Sequence, residues 1–224
     1  MKFPEELKGR LIVSCQAPPG NPLDHTDTLC RIAACVLEGG AGGLRTNGTQ
    51  ILAALRAQTA VPILAIEKRL VDGEILITPD FAAAAALAAA GADVIALDCT
   101  ARVRHAGESW QQLTERIHAE LGLPVLADIA TFEEARRAVD AGVDAVATTL
   151  HGYTPETMGK REVPWPLLQR LVEESPVPVI AEGHLRTPEQ AQRCLEMGAY
   201  AVVIGAAITR ADLIAARFVQ AMTA

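Results

Sequence analysis

A lysine and two carboxylates stand at the ends of three short apolar runs, each of which begins at a proline. The runs are Val61-Pro62-Ile63-Leu64-Ala65-Ile66-Glu67-Lys68, Leu123-Pro124-Val125-Leu126-Ala127-Asp128 and Val177-Pro178-Val179-Ile180-Ala181-Glu182. A neutral amine can take a proton from carbon or form an imine, and a carboxylic acid can return a proton. Asp128 and Glu182 sit at the same offset from their prolines. Lys68 lies two residues further on, so the pleat of a strand turns it to the same face, one layer higher, while Glu67 alternates away. An ionisable group cannot stay in a dry interior, so these ends must open onto a mouth where water or substrate enters.

Continuous apolar runs of this kind are what strands buried on both faces look like, and Pro marks their first residue. Between the Pro-led runs a second pattern recurs: Ala90-Gly91-Ala92-Asp93-Val94-Ile95, Ala141-Gly142-Val143-Asp144-Ala145-Val146 and Met197-Gly198-Ala199-Tyr200-Ala201-Val202. Each couples a helix-ending Gly to an apolar strand. With Leu11–Gln16 and the looser copy around Gly42, eight strands are expected, at 11–16, 42–46, 62–68, 93–98, 124–128, 144–149, 178–182 and 200–205. Thr131, Thr187, Ser109 and Thr78-Pro79-Asp80 open helix-length segments between them, and 209–222 forms a last helix with Leu213, Ile214, Phe218 and Met222 on one face. Eight βα units without a break in composition predict a single (β/α)8 barrel (a TIM barrel) over residues 1–224. A doubly wound sheet would carry a Gly-rich turn after its first strand, where Cys15-Gln16-Ala17-Pro18-Pro19-Gly20 stands instead.

In a barrel, function gathers at the carboxyl ends of the strands. Those ends read Gln16, Arg45, Lys68, Asp98, Asp128, Thr149, Glu182 and Gly205. Gly183, together with Gly205 and the small residues up to Arg210, matches the anion cradle that barrels place after their last two strands. An Arg in a first helical turn opposes the helix dipole unless an anion sits there. Blander alternatives stand beside these: a surface lysine at 68, ordinary strand-end carboxylates, a tight turn without ligand.

Composition narrows the partners. The formal charge is −7, with nothing resembling a basic stripe, so nucleic acid is not expected. Five scattered cysteines without metal spacing, and histidines without paired spacing, predict no metal and a reducing cytoplasm. The start of the chain lacks the apolar region of a leader, and Phe81–Leu97 is broken by Gly91 and Asp93, so no membrane segment is expected.

Several stretches in this order resemble the N-acetylmannosamine-6-phosphate 2-epimerase family over nearly the whole chain. They are Leu11–Ala17, Ile66-Glu67-Lys68-Arg69, Gly91–Asp98, Thr148-Thr149-Leu150-His151-Gly152-Tyr153-Thr154, Ala181-Glu182-Gly183 and Ile204–Arg210. The resemblance implies cofactor-independent interconversion of N-acetylmannosamine-6-phosphate and N-acetylglucosamine-6-phosphate in sialic acid and amino-sugar catabolism. It implies Lys68 and Glu182 as acid and base, Gln16, Arg45 and Asp128 at the sugar, and Gly183, Gly205 and Arg210 at the phosphate. Thr149 is expected among the substrate contacts, and a homodimer is compatible with the last helix. His184, Ala206 and His151 depart from the family pattern. A Schiff-base lyase or aldolase using Lys68, a metal-dependent pentulose-phosphate epimerase and a non-catalytic sugar-phosphate sensor are the alternatives.

Overall fold

The computed structural model describes residues 1–71, 73–102, 104 and 108–223. His105, one of the histidines considered above, lies outside them. Strands and helices alternate: β1 (Leu11–Cys15), α1 (Thr26–Glu38), β2 (Gly43–Asn47), α2 (Thr49–Arg56), β3 (Ile63–Ile66), β4 (Lys68–Val71), β5 (Glu74–Ile77), α3 (Phe81–Ala89), β6 (Val94–Asp98) and α4 (Trp110–Arg116). The second half continues with β7 (Val125–Asp128), α5 (Phe132–Asp140), β8 (Ala145–Ala147), α6 (Trp165–Glu174), β9 (Val179–Glu182), α7 (Pro188–Glu196), β10 (Ala201–Ile204), α8 (Ala206–Thr209) and α9 (Ala211–Thr223). Eight of the strands close a parallel barrel in the order β1-β2-β3-β6-β7-β8-β9-β10.

Each barrel strand is buried on both faces because its residues alternate between two cores. Ile12, Leu64, Val94, Leu126, Ala145, Ile180 and Ala201 fill the barrel interior, while Val13, Ala65, Ile95, Ala127, Val146 and Ala181 face the surrounding helices. Phe3 and Leu7 join the interior core, and the N–H of Gly9 donates to the Tyr200 carbonyl before β10, so the first residues stop the amino-terminal end of the barrel. The other end is left to the strand-end side chains.

Local signals were accurate where a cap or a glycine decides the backbone. Thr131, Thr187 and Ser109 each cap a helix and complete a reciprocal capping box with Glu134, Gln190 and Gln112. Gly198 has φ +104, and a Cβ there would lie 2.7 Å from Val172, which is why glycine separates α7 from β10. Before α3, however, the cap is Asp80, which accepts the Ala83 N–H at 2.8 Å. Thr78 is instead fully buried at φ +47.

Two expected elements differ. The third strand was expected to reach Lys68, but β3 ends at Ile66 and the chain turns out into an antiparallel hairpin, β4–β5, in which Lys68 pairs with Ile77. The last helix begins after a separate turn, α8, and α9 buries none of its residues. Replacing Thr131 with Ala should cost about 1 kcal/mol in urea unfolding, the usual worth of such a cap; a change within error would mean the box is not formed in solution.

Candidate active site

The pleat decides which side chains reach the mouth. Even steps from the inward residues Ile12, Leu64, Leu126, Ala145 and Ile180 lead to Ser14 and Gln16, Lys68, Asp128, Thr149 and Glu182. All but Asp128 line one open cavity of about 980 Å³ at the carboxyl end of the barrel, together with Arg45, Gly183, Gly205 and Arg210.

Arg45 is the centre of this arrangement. Its side chain is 1% exposed and sits between two acids, Asp128 at 0% and Glu182 at 13% exposed. Arg45 Nη2 donates to Asp128 Oδ2 at 2.5 Å and Nη1 to Oδ1 at 3.0 Å, a two-pronged pair. The same Nη1 donates to Glu182 Oε2 and, at 3.3 Å, to Thr149 Oγ1. The Thr149 hydroxyl in turn donates to Asp128. Burial alone would weaken the charge on Arg45, but Asp128 and Glu182 more than offset it and keep the guanidinium charged.

One cation shared by two buried carboxylates leaves an excess of negative charge. Burial pushes the Glu182 acid up to about 7, Arg45 opposes that rise, and Asp128 adds to it. Thr148 holds the Glu182 backbone, accepting its N–H at 3.1 Å and donating to its carbonyl at 2.7 Å.

Lys68 faces this acid from the hairpin. Its side chain keeps an exposed surface on the cavity, and Nζ donates to Gln16 Oε1 at 2.7 Å. Gln16 is itself oriented by Ser14 Oγ at 2.9 Å. The protein crowded around the amine lowers its pKa from 10.5, Arg45 lowers it further, and Glu182 and Asp128 partly restore it. Arg69, the next residue, is paired with Asp80 at 2.7 Å.

Asp128 is fully buried and is not among the residues that line the cavity. It is shielded by Arg45, whose guanidinium takes both its oxygens. Asp98, at the end of β6, is bonded to Thr100 and Arg102. His118 binds the buried Asp144 at 2.7 Å. Cys15 is fully buried and its thiol is pushed up to about 12. Ser14 and Thr148 were not singled out from the sequence, although a lone hydroxyl at an inward position of Leu11–Cys15 was a usable signal for the first. Among the described residues no group of three or more metal-binding side chains is assembled, and no helix is long and apolar enough to cross a membrane.

Next to Glu182, Gly183 adopts φ +106, a conformation that glycine takes without strain. Gly205 precedes α8, whose Ile208 and Thr209 N–H groups return to the Gly205 carbonyl. Arg210, 18% exposed, is held by Asp212 at 2.6 Å.

A parallel barrel that gathers an amine, an acid and a buried guanidinium around one cavity at the carboxyl end of its strands has the form of an enzyme active site. The profile described as putative N-acetylmannosamine-6-phosphate epimerase matches residues 29–224, and the chain belongs to that family. A relative from Thermosynechococcus vestitus, named a putative N-acetylmannosamine-6-phosphate 2-epimerase, is 44% identical over 100% of this chain and 98% of its own. One of the same name from Clostridioides difficile is 41% identical over 97% and 98%. The solved N-acetylmannosamine-6-phosphate 2-epimerase from Clostridium perfringens superimposes with a TM-score of 0.93 at 40% identity, over 96% of this chain and 94% of that one. A thiamine phosphate pyrophosphorylase from Pyrococcus furiosus, at 19% identity and a TM-score of 0.64, shares the fold.

The raised Glu182 pKa fixes a sign for stability. The native state holds the Glu182 proton above pH 4.5, where an unfolded chain loses it, so this group stabilises the fold below that pH and its contribution fades as pH rises through about 7. In urea unfolding, the stability of wild type relative to Glu182→Gln should therefore fall between pH 5 and pH 8. A gap that stays constant or widens would contradict the assigned environment.

Proposed function

We propose that this chain interconverts N-acetylmannosamine-6-phosphate and N-acetylglucosamine-6-phosphate by removing the proton at C2 and returning one to the opposite face. The observation that carries this is the placement of Lys68 and Glu182 on one cavity, in a chain of this family. Inversion at C2 needs an acidic C–H bond, which a closed sugar ring lacks. The ring must open to the aldehyde first, with Glu182 as the cavity's carboxylate near the Arg45 pair. One of the two groups then takes the C2 proton, charge moves to the C1 oxygen, and the other group delivers a proton from across the cavity. Arg45 and Gln16, which line the cavity, are the candidate donors to that oxygen.

The two pKa shifts favour this exchange. An amine lowered and an acid raised bring neutral amine and neutral acid closer in free energy to ammonium and carboxylate. Each direction of turnover leaves the pair in the state that the reverse direction requires. Asp128 acts through Arg45, and Thr149 holds both. The phosphate lies against Gly183, Gly205 and the free N–H groups that begin α8, where it draws Arg210 from Asp212. The reading sets the enzyme in the cytoplasm, in keeping with five free cysteines.

A homodimer belongs to the same reading. Phe218, Val219 and Met222 on α9 are 69%, 60% and 84% exposed, a patch that the other described residues leave uncovered. Light scattering should report a dimer that becomes monomeric in the Phe218→Glu, Met222→Glu double variant; a wild-type monomer would remove this part.

Lys68→Met should lower kcat by about a thousandfold or more while sugar-phosphate binding, measured calorimetrically, stays within a few fold, because the lost group acts mainly on the proton. Near wild-type turnover would overturn the assignment of Lys68, and a stable adduct after borohydride reduction would point to imine chemistry instead.

A further inference from the structure

Lys68 owes its position to the hairpin, because the barrel ladder that fixes Glu182 stops two residues short of it on β3. The outer half of that hairpin is poorly packed, with Leu70 73% and Ile75 56% exposed, whereas Leu76 and Ile77 at its root are buried. The amine is therefore only as well placed as the attachments of that root.

Those attachments converge on one guanidinium. Arg104, beyond the end of β6, donates through Nη1 to the carbonyls of Thr78 at 3.0 Å and Pro79 at 2.8 Å. Its Nη2 donates to the Asp98 carbonyl at 2.7 Å and reaches the Ile77 carbonyl at 3.5 Å. Ile77 is the residue paired with Lys68, and Asp98 ends a barrel strand, so Arg104 ties the partner of Lys68 to the barrel itself. Thr78 completes the root: its N–H donates to the Glu67 carbonyl at 2.7 Å, and its hydroxyl accepts the Glu67 N–H at 3.2 Å. It does so at φ +47, a conformation that a β-branched residue avoids unless its surroundings impose it. Arg104 grips the carbonyls on either side of that strained position and the one at it. The Lys68 N–H is fixed from the other side by Asn47 Oδ1 at 2.8 Å, and Arg102 adds a bond to the Ile75 carbonyl at 3.0 Å.

We propose that Arg104 is a positioning residue for the C2 proton transfer, gripping the root of the β4–β5 hairpin so that the Lys68 amine is held over the cavity. It is not among the residues that line the cavity, and burial lowers its own pKa. A displacement of about 1 Å at a reacting group can cost on the order of a hundredfold in rate, so a small loosening of the root is enough to register. The inference rests on Lys68 acting at C2, and its test includes a readout that needs no substrate.

The variants are Arg104→Gln and the conservative Arg104→Lys, with Arg56→Gln as a comparison. Arg56 makes a similar grip at the far end of β3, to the Val61 carbonyl at 2.5 Å and to Asp93 at 3.1 Å. Arg104→Gln should lower kcat for sugar-phosphate epimerisation about ten- to a hundredfold with KM changed by less than about threefold, and Arg104→Lys should recover part of the loss. In parallel, the Lys68 amine is labelled by reductive methylation with carbon-13 and titrated by NMR. Its depressed pKa should move up toward an ordinary lysine in Arg104→Gln and stay in place in Arg56→Gln, which should lower the unfolding midpoint alone. An unmoved Lys68 titration in both Arg104 variants, or a kcat loss matched by Arg56→Gln, overturns the proposal. Absence of epimerisation in the wild type would defeat the proposed function, and the titration would still decide whether Arg104 sets the amine.

Discussion

The site depends on one buried guanidinium held between two carboxylates. Arg45 has almost no contact with solvent, and removing an arginine from water is tolerable only where acids meet it. Asp128 satisfies that requirement with both oxygens, which frees Glu182 to lean on the same cation from the cavity side. Glu182 is thereby oriented without being held fully ionised. Burial is what raises the acid; Arg45 opposes that rise and the second carboxylate adds to it. The same guanidinium reaches Lys68 as a field that disfavours the ammonium form. On Glu182 the same charge works the other way, opposing the rise that burial imposes, so Arg45 sets the balance of the pair while burial drives both shifts.

Most of this architecture was legible in the sequence, because barrel strands obey a two-residue period and their inward faces are apolar. Counting in twos from Leu126 and Ile180 leads to Asp128 and Glu182, and the structure points both inward. The helix starts at Thr131, Thr187 and Ser109 were legible for a similar reason: a side chain that caps three donors ahead has a fixed spacing. The count also led to Lys68, although by a path the chain does not follow. The parity survives the end of β3, but the residue belongs to a hairpin that no apolar period announces: β4 and β5 carry charges, and five of their eight residues are exposed.

What the sequence left hidden is depth. Asp128 and Glu182 have identical framing, yet one is walled off and the other borders the cavity. The difference arises from Arg45 on a distant strand, whose long side chain fills the space above Asp128. Residues that act by gripping main chain, such as Arg104, were equally invisible, since a carbonyl partner leaves no mark in side-chain spacing. Thr78 could be placed before a helix but not in its unusual backbone state, which is set by Glu67 and Arg104 together.

The central claim is that an amine and an acid exchange the C2 proton of an aldehyde-form sugar phosphate across the cavity. Proton NMR of N-acetylmannosamine-6-phosphate incubated with the protein in heavy water tests it most directly. The account predicts that N-acetylglucosamine-6-phosphate appears with deuterium at C2. An epimer that forms while retaining its original proton in full, or a sugar that neither epimerises nor exchanges, would contradict it.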